Sequence, residues 1–318
     1  MMSVMRWRLS LFLIALVVGS FLLVSSAWAQ QGAKAPDFGA HPELEAIADD
    51  LHELWRDDPR IFARLDAVRQ LVRDWETAGA QREMSPARVL EGLGDEGLLP
   101  MLWALVADDP FAEQMGLRGW VTWRVGLLEA VGRHRDERSI PVLISILEGP
   151  DPLGATHQTA TSALGRTGDV AAIETAIELA RDEEQKRQSI VAGLGQARRS
   201  TALEYLLEVA VDGDDLELRR LAIRSLGDWA NQWAWQTSDL APRAKTGAKG
   251  QSRIIANLVE LYGEVPASLR TEIEKSLHLA GAAEARQRVL ERLQQMTDDQ
   301  ISAAYTSLAE RLSRSPLN

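Results

Sequence analysis

The chain has 318 residues, a formal net charge of −11 and no cysteine, and its 10 tryptophans outnumber its 5 phenylalanines and 3 tyrosines together. The lack of cysteine excludes a disulfide framework, a cysteine-ligated zinc site, an iron–sulfur cluster and a thiol nucleophile. The excess of acidic residues argues against general nucleic-acid binding, because affinity for phosphates comes from clustered Lys and Arg.

The first 29 residues have the pattern of a signal peptide. Arg6 and Arg8 are the only charges before an apolar run over residues 11–24, and Ala27-Trp28-Ala29 fits a small-residue cleavage site. We predict cleavage after Ala29 and a periplasmic or secreted mature protein. An uncleaved membrane anchor is the alternative, because signal and anchor segments overlap in length.

The chain beyond the signal peptide is predicted to be helical almost throughout. Residues 30–40 have the Gly, Pro and Ala composition of a flexible linker. After them, apolar residues recur at three- and four-residue spacings, and no sustained alternation of β-branched residues predicts a strand. Residues 41–87, with Trp55 and Trp75, are predicted to form an N-terminal helical cap.

A repeated segment ends in a small residue, an apolar residue and a glycine, and the glycines are 30 to 38 residues apart. This period is typical of a solenoid of helix pairs. The glycine is expected to end a helix in the left-handed conformation, and the small residue to let neighbouring helices approach closely. The five glycines are Gly94, Gly132, Gly165, Gly195 and Gly227. An apolar stripe follows at eight, eleven and twelve residues beyond the glycine, as in Ile173, Ala176 and Ile177 or Leu203, Leu206 and Leu207.

Residues 88–228 resemble the HEAT-like repeat family, in the short form first associated with phycobilisome lyases. The resemblance rests on residues 136–143 (DERSIPVL), 162–169 (SALGRTGD) and 215–227 (DLELRRLAIRSLG). It implies an all-α fold, an α-solenoid in which antiparallel helix pairs form a right-handed superhelix, and a binding role. It carries over no catalytic residue, and the chromophore-lyase activity of some relatives is not expected of an exported chain.

The repeat pattern fails after Gly227. We predict a tryptophan-rich insertion and loop over residues 229–250, followed by a degenerate repeat and C-terminal helical cap over residues 251–318. Trp229 and Trp233 are four residues apart and are expected to share a helix face, whereas Trp235 would point elsewhere. The candidate binding residues here are Trp229, Trp233, Trp235, Arg243, Lys245 and Lys249.

Two interpretations of this tryptophan-rich segment stay open. The rings could form a surface that docks a partner or stacks on sugars, because tryptophan dominates interface anchors. Alternatively, they could close the solenoid over the insertion, because a tryptophan buries a large area in a core.

Other motifs are predicted to be structural. Residues 92–97 spell G-x-G-x-x-G but follow a predicted helix instead of a strand, so no dinucleotide site is expected. The five histidines never occur at metal-ligand spacing, and we predict no metal and no cofactor. The acidic turn at residues 212–217 is expected to cap the next helix, not to bind calcium. A polar column eight residues before the glycines, expected to bridge to turn acids or carbonyls of the adjacent repeat, contains Arg124, His157, Arg187 and Arg219.

No catalytic constellation is visible in the sequence, although a dispersed triad stays possible. We therefore predict a non-catalytic periplasmic scaffold or adaptor, which binds a protein or peptide partner through a preformed solenoid surface. Its acidic charge favours a partner with a basic patch. The alternative is an exported enzyme or a carbohydrate-binding protein that uses the tryptophan-rich insertion at residues 229–235.

Overall fold

The computed structural model of the chain describes residues 36–77, 85–107, 112–151, 153–213 and 215–314. The protein is 85% helix and has no strand in the described ranges, as an all-α fold requires. The predicted signal peptide and residues 30–35 of the predicted linker lie outside the described residues. Within those ranges, no helix combines the length and the apolar character needed to cross a membrane.

The described residues divide into two compact units, one up to Ser145 and one from Ile146. The first unit contains α1 (Ala48–Asp57), α2 (Arg60–Thr77), α3 (Pro86–Glu91), α4 (Leu98–Val106), α5 (Ala112–His134) and the start of α6 (Ile140–Glu148). The second contains α7 (Ala155–Thr167), α8 (Val170–Asp182), α9 (Glu184–Gly193), α10 (Ser200–Asp212), α11 (Leu216–Ala230), α12 (Ala244–Glu264), α13 (Ala267–Leu293) and α14 (Asp299–Ser313). Short 3₁₀ helices cover Phe38–Ala40, Pro42–Ile47, Asp95–Gly97, Glu137–Ser139, Leu194–Gln196, Ala234–Gln236 and Ala241–Arg243.

The first unit is built around an aromatic core that includes part of the predicted linker. The Phe38 side chain is fully buried, and its ring centroid lies 5.7 Å from that of Trp103 and 5.9 Å from that of Phe62. Trp55 of the predicted N-terminal cap packs edge-on against Phe62 at 4.9 Å. The linker prediction is therefore wrong for residues 38–40, because one aromatic ring anchors an otherwise loop-like composition in the core.

The second unit consists of two layers of helices. Helices α7, α9, α11 and α13 contact one another in that order and form one layer, while α8, α10 and α12 do the same in the other. Each helix of the second layer also contacts the helix that follows it in the chain. The predicted apolar stripe lies in this interior, with Ile173, Ala176, Leu203 and Leu206 all buried.

Close contact between main chains holds the α7–α9–α11–α13 layer together. A Cβ atom on Gly165 would lie 2.8 Å from the main chain of Ala197. A Cβ on Gly195 would lie 2.7 Å from the carbonyl oxygen of Ser225, and one on Gly227 2.9 Å from the Cα of Ser276. These approaches are shorter than any side chain allows, so the repeat glycines are needed for packing between helices.

The predicted left-handed role of the repeat glycines is wrong. Gly94 alone of the five has a positive φ (68°), and its ψ of −164° lies outside the left-handed helical region. In three later repeats a residue of positive φ stands three positions further on, at Arg135 (φ 54°), Gly168 (φ 74°) and Arg198 (φ 43°). After Gly132 and Gly165 the helix therefore continues for two residues before it ends, whereas Gly195 lies in the 3₁₀ helix that follows α9. From the sequence alone, a glycine near a helix end could either end the helix or permit close packing. Only the residue that it contacts in the structure distinguishes the two roles.

Serine hydroxyls satisfy main-chain carbonyls in the same contacts. Ser225 Oγ donates to the carbonyl of Val191 at 2.8 Å, and Ser276 Oγ donates to that of Ile223 at 2.8 Å. Both serines are buried. A small polar side chain thus permits close approach without leaving its own hydroxyl unpaired.

The polar column bonds to carbonyls at the end of the preceding helix. The side chains of Arg124, Arg187 and Arg219 donate to the carbonyls of Leu105, Ala180 and Ala210 at 2.8–3.0 Å, and His157 Nε2 lies 3.0 Å from that of Gly149. Arg270 continues the column on α13, with Nε 3.1 Å from the carbonyl of Tyr262. The accepting carbonyls belong to the same helix pair, not to the adjacent repeat as predicted. Because positive charge is favourable at a helix C-terminus, the column stabilises the end of the preceding helix.

Acidic residues cap the helices of the repeat, as the sequence predicts. Asp215 accepts hydrogen bonds from the main-chain N–H groups of Glu217 and Leu218 at 3.2 and 3.1 Å. Asp169 accepts one from Ala172 at 2.8 Å. Each carboxylate satisfies amides that the first helical turn leaves unpaired.

Substitution of Gly195 by alanine tests the close contact between α11 and the 3₁₀ helix Leu194–Gln196, which follows α9. Alanine in place of glycine normally stabilises a chain by about 0.4–1 kcal/mol when the backbone permits it. Here the new methyl group meets the Ser225 carbonyl, and we expect a net loss of about 1–3 kcal/mol, measured by thermal unfolding.

Gly39→Ala is the control, because the nearest heavy atom to its new Cβ is 3.7 Å away. Equal midpoints for the two variants would contradict the packing role of Gly195.

Candidate functional site

Two of the three clustered tryptophans are buried. Trp229 and Trp235 are 1% and 5% exposed, whereas Trp233 is 40% exposed. Helix α11 ends at Ala230, so Trp233 does not share a helix face with Trp229 as predicted. The 3₁₀ helix at Ala234–Gln236 instead brings Trp235 back onto Trp229, with ring centroids 5.1 Å apart.

The indole N–H groups of both buried rings are satisfied by main-chain carbonyls. Trp229 Nε1 donates to the carbonyl of Arg199 at 3.3 Å, and Trp235 Nε1 donates to that of Trp229 at 2.8 Å. Buried indoles generally need such partners. The two rings therefore tie the segment after α11 to the turn before α10.

Helix α12 begins at Ala244, within the predicted loop. A Cβ on Gly247 would lie 2.5 Å from Trp235 Cδ2, and one on Gly250 would lie 2.1 Å from Trp229 Cη2. The loop prediction over residues 244–250 is therefore wrong. These glycines make room for two indole rings on one face of a helix, and their composition alone resembles a loop.

The three predicted basic residues have different environments. The Arg243 guanidinium lies over the Trp235 ring, 5.8 Å from its centroid, and donates to the Arg198 carbonyl. Burial and, to a lesser extent, the positive charge of Arg199 lower the pKa of Arg243. Lys245 and Lys249 are exposed on α12. The structure thus brings Arg243 together with the buried rings and leaves both lysines at the surface.

We call the assembly of Arg198, Arg199, Trp229, Trp235 and Arg243 the Trp–Arg cluster; its tryptophans and Arg198 are buried, and Arg199 and Arg243 are partly exposed. Arg198 is 7% exposed and donates to the main-chain carbonyl of Asp228 at 3.1 Å. Burial raises the pKa of the Asp228 carboxyl group, while the charges of Arg198 and Arg224 oppose the rise. Arg198 and Arg199 were not among the predicted site residues, because they lie about thirty residues before the tryptophans and enter the cluster through their main-chain carbonyls.

A second feature is an acidic face on α8 and α10. Its six carboxylates occupy equivalent repeat positions, at nine, thirteen and seventeen residues beyond Gly165 and Gly195. All six side chains are exposed, and the two helices are in contact. The residues are Glu174, Glu178 and Asp182 on α8 with Glu204, Glu208 and Asp212 on α10. Extending the glycine register to exposed positions would have revealed this face from the sequence.

Arginines neutralise part of the acidic face. Glu208 pairs with Arg181 at 3.1 Å, and Glu204 pairs with Arg253 of α12. The hydrogen bond from Arg253 lowers the pKa of Glu204. The three carboxylates of α8 form no ion pair with the described residues. No three or more His, Asp or Glu side chains in the described ranges are grouped to hold a metal ion.

Alanine substitution of the three tryptophans separates their roles. We expect Trp229→Ala and Trp235→Ala each to destabilise the protein by about 3–5 kcal/mol, because each removes a buried ring from a packed site. Trp233→Ala should change stability by less than about 0.5 kcal/mol, as exposed positions usually do. Thermal unfolding of the three variants measures this difference, and a stable Trp235→Ala variant would refute the structural role.

No protein-family model matches the chain. No curated protein sequence matches it either. The likeness of residues 88–228 to HEAT-like repeats therefore remains a prediction from the sequence.

Proposed function

We propose that this protein is an exported, non-catalytic scaffold that binds a basic protein or peptide on the acidic face of α8 and α10. The observation that supports this proposal is the recurrence of exposed carboxylates at equivalent positions of two helices in contact. A single acidic helix would be an ordinary solvated surface. Recurrence across repeats instead gives a negative surface with a fixed geometry, strongest along α8, whose three carboxylates form no ion pair with the described residues. Such a surface suits an extended basic partner.

The architecture proposed for this scaffold is a HEAT-like α-solenoid. Three observations in the second unit support it: the two ordered helix layers, the repeated glycine contacts and the arginine column. Each recurs with the period of the sequence, as expected when every repeat packs only against its neighbours. Export is proposed from the signal-peptide pattern of residues 1–29, and places the scaffold in the periplasm or outside the cell.

A rigid surface of this kind suits recognition. The helices that carry the acidic face are packed on the buried stripe and the glycine contacts, so their carboxylates are held before a partner arrives. Binding then avoids the free-energy cost of ordering a flexible segment. The negative potential of the face would also accelerate association with a basic partner, in a salt-dependent manner.

The carbohydrate-binding alternative finds less support. Sugar stacking needs exposed ring faces, and two of the three candidate rings are buried against α12. Trp233 alone remains accessible at this position. The arginines of the repeated column are likewise engaged with helix carbonyls, so they do not form a free groove for an acidic substrate.

Charge reversal on the acidic face tests the proposed function. The double variant Glu174→Lys/Glu178→Lys places two positive charges on α8 at exposed positions. We expect the wild-type protein to capture a basic protein from periplasmic extract at low salt, and the variant to lose it, because the attraction becomes repulsion. Affinity capture at low and high salt followed by mass spectrometry measures this.

The control is Asp49→Lys/Glu53→Lys, which makes the same charge change at the same spacing on exposed positions of α1. It should retain the captured partner. Loss of the partner in both variants, or its retention in both, would contradict the assignment of the acidic face. Specific capture of nothing at either salt concentration would contradict the scaffold proposal.

A further inference from the structure

The start of α10 differs from the capped helix starts of the two preceding repeats. The position four residues after Gly132, Gly165, Gly195 and Gly227 holds Asp136, Asp169, Arg199 and Asn231, and after Gly94 it holds Leu98. The two aspartates and the asparagine each accept hydrogen bonds from main-chain N–H groups that follow them. Leucine and arginine side chains have no acceptor atom, and α10, which begins at Ser200 directly after Arg199, has no side-chain cap.

A second arginine occupies the same place on the neighbouring helix. Arg243 is the N-terminal capping residue of α12, which also lacks a side-chain cap, and α10 and α12 are in contact. Neither helix has an acidic residue in its first turn. Two neighbouring helices therefore each start after an arginine, and Arg243 donates to the carbonyl of Arg198, directly before Arg199. This arrangement opposes the usual preference for negative charge at a helix start.

Neither Arg199 nor Arg243 forms an ion pair with the described residues, and the positive charge of Arg199 contributes to the lowered pKa of Arg243. The Nε atom of Arg199 is buried and has no hydrogen-bond partner among those residues. Its guanidinium lies against the main chain of Gly168, where a Cβ atom would be 2.7 Å from Nη2.

The pair is held in place but still reaches solvent. Arg243 is fixed by its hydrogen bond to the Arg198 carbonyl and by the Trp235 ring beneath it. The Arg199 main chain is fixed by the bond that its carbonyl accepts from Trp229. Both side chains are partly exposed. The buried tryptophans thus support a positively charged site at the surface.

We propose that Arg199 and Arg243 bind a carboxylate group, which takes the place that an aspartate side chain holds in the two preceding repeats. Guanidinium forks match the two oxygens of a carboxylate, and the uncapped amides of α10 supply further donors. The ligand is a small carboxylic acid or an acidic residue of a peptide. The inference does not depend on the proposed function, because the site concerns an anion and the acidic face concerns a basic partner.

Titration of the full-length protein with separate anions tests the proposal. The probes are succinate, an N-acetylated and C-amidated glutamyl peptide, and inorganic phosphate, followed by the NMR signals of arginine Nε–H groups and by calorimetry. We expect saturable binding of one or both carboxylate probes, with shifts of the Arg199 and Arg243 signals. The succinate and peptide arms identify the source of the carboxylate.

Arg199→Asp supplies the missing cap from within the chain. We expect it to raise the melting temperature and to weaken carboxylate binding at least about tenfold, since a charge-assisted hydrogen bond is lost. Arg243→Ala should weaken binding similarly. Arg220→Asp, which makes the same charge change at an exposed position of α11 that pairs with Glu217, is the control and should leave binding unchanged.

Three outcomes would overturn the proposal. They are saturation by neither carboxylate probe, tighter binding of phosphate than of both carboxylates, and unaltered carboxylate binding by Arg199→Asp. Each is distinguishable from failure of the scaffold function, which is measured on variants of α8 with a basic partner.

Discussion

The fold of residues 146–314 depends on the close approach of main chains within one helix layer. Gly195 and Gly227 meet residues of α11 and α13, and Gly165 meets Ala197 just after the 3₁₀ helix that follows α9, at distances that a side chain would prevent. This close approach lets serine hydroxyls reach carbonyls of the neighbouring helix. The helices of the second layer recur with the same period. The apolar stripe then closes into a continuous core without any disulfide.

The same constraint explains what happens where the repeat ends. After Gly227 the chain has no short turn into a following helix, and Trp229 and Trp235 fill the space instead. Their rings displace side chains from one face of α12, which is why glycines stand at 247 and 250. Their N–H groups reach back to main-chain carbonyls. The interior of the Trp–Arg cluster is therefore structural, and its partly exposed arginines form a positively charged site at the surface.

The sequence predicted the features that repeat and missed those that depend on contacts at a distance. The period, the buried stripe, the aspartate caps and the bonding of the arginine column to carbonyls could all be inferred from spacing. The role of Gly195 could not, because its neighbour Ser225 lies thirty residues away and the same glycine could equally end a helix. Phe38 and residues 244–250 were predicted to lie in a linker and a loop from their composition. Composition cannot show that the Phe38 ring is buried or that indole rings pack against residues 247 and 250. The acidic face could have been predicted by extending the glycine register to exposed positions, and the same register places Arg199 where the two preceding repeats have a capping aspartate.

The central claim is that small residues bring the helices of one layer into direct contact across repeats. NMR measurement of NOEs in protein labelled selectively at glycine and serine tests it most directly. The account predicts strong NOEs from the α-protons of Gly195 to Ser225 and from those of Gly227 to the β-protons of Ser276, pairs that are far apart in sequence. Absence of both long-range NOEs, with glycine contacts confined to sequence neighbours, would contradict the packing on which the whole account depends.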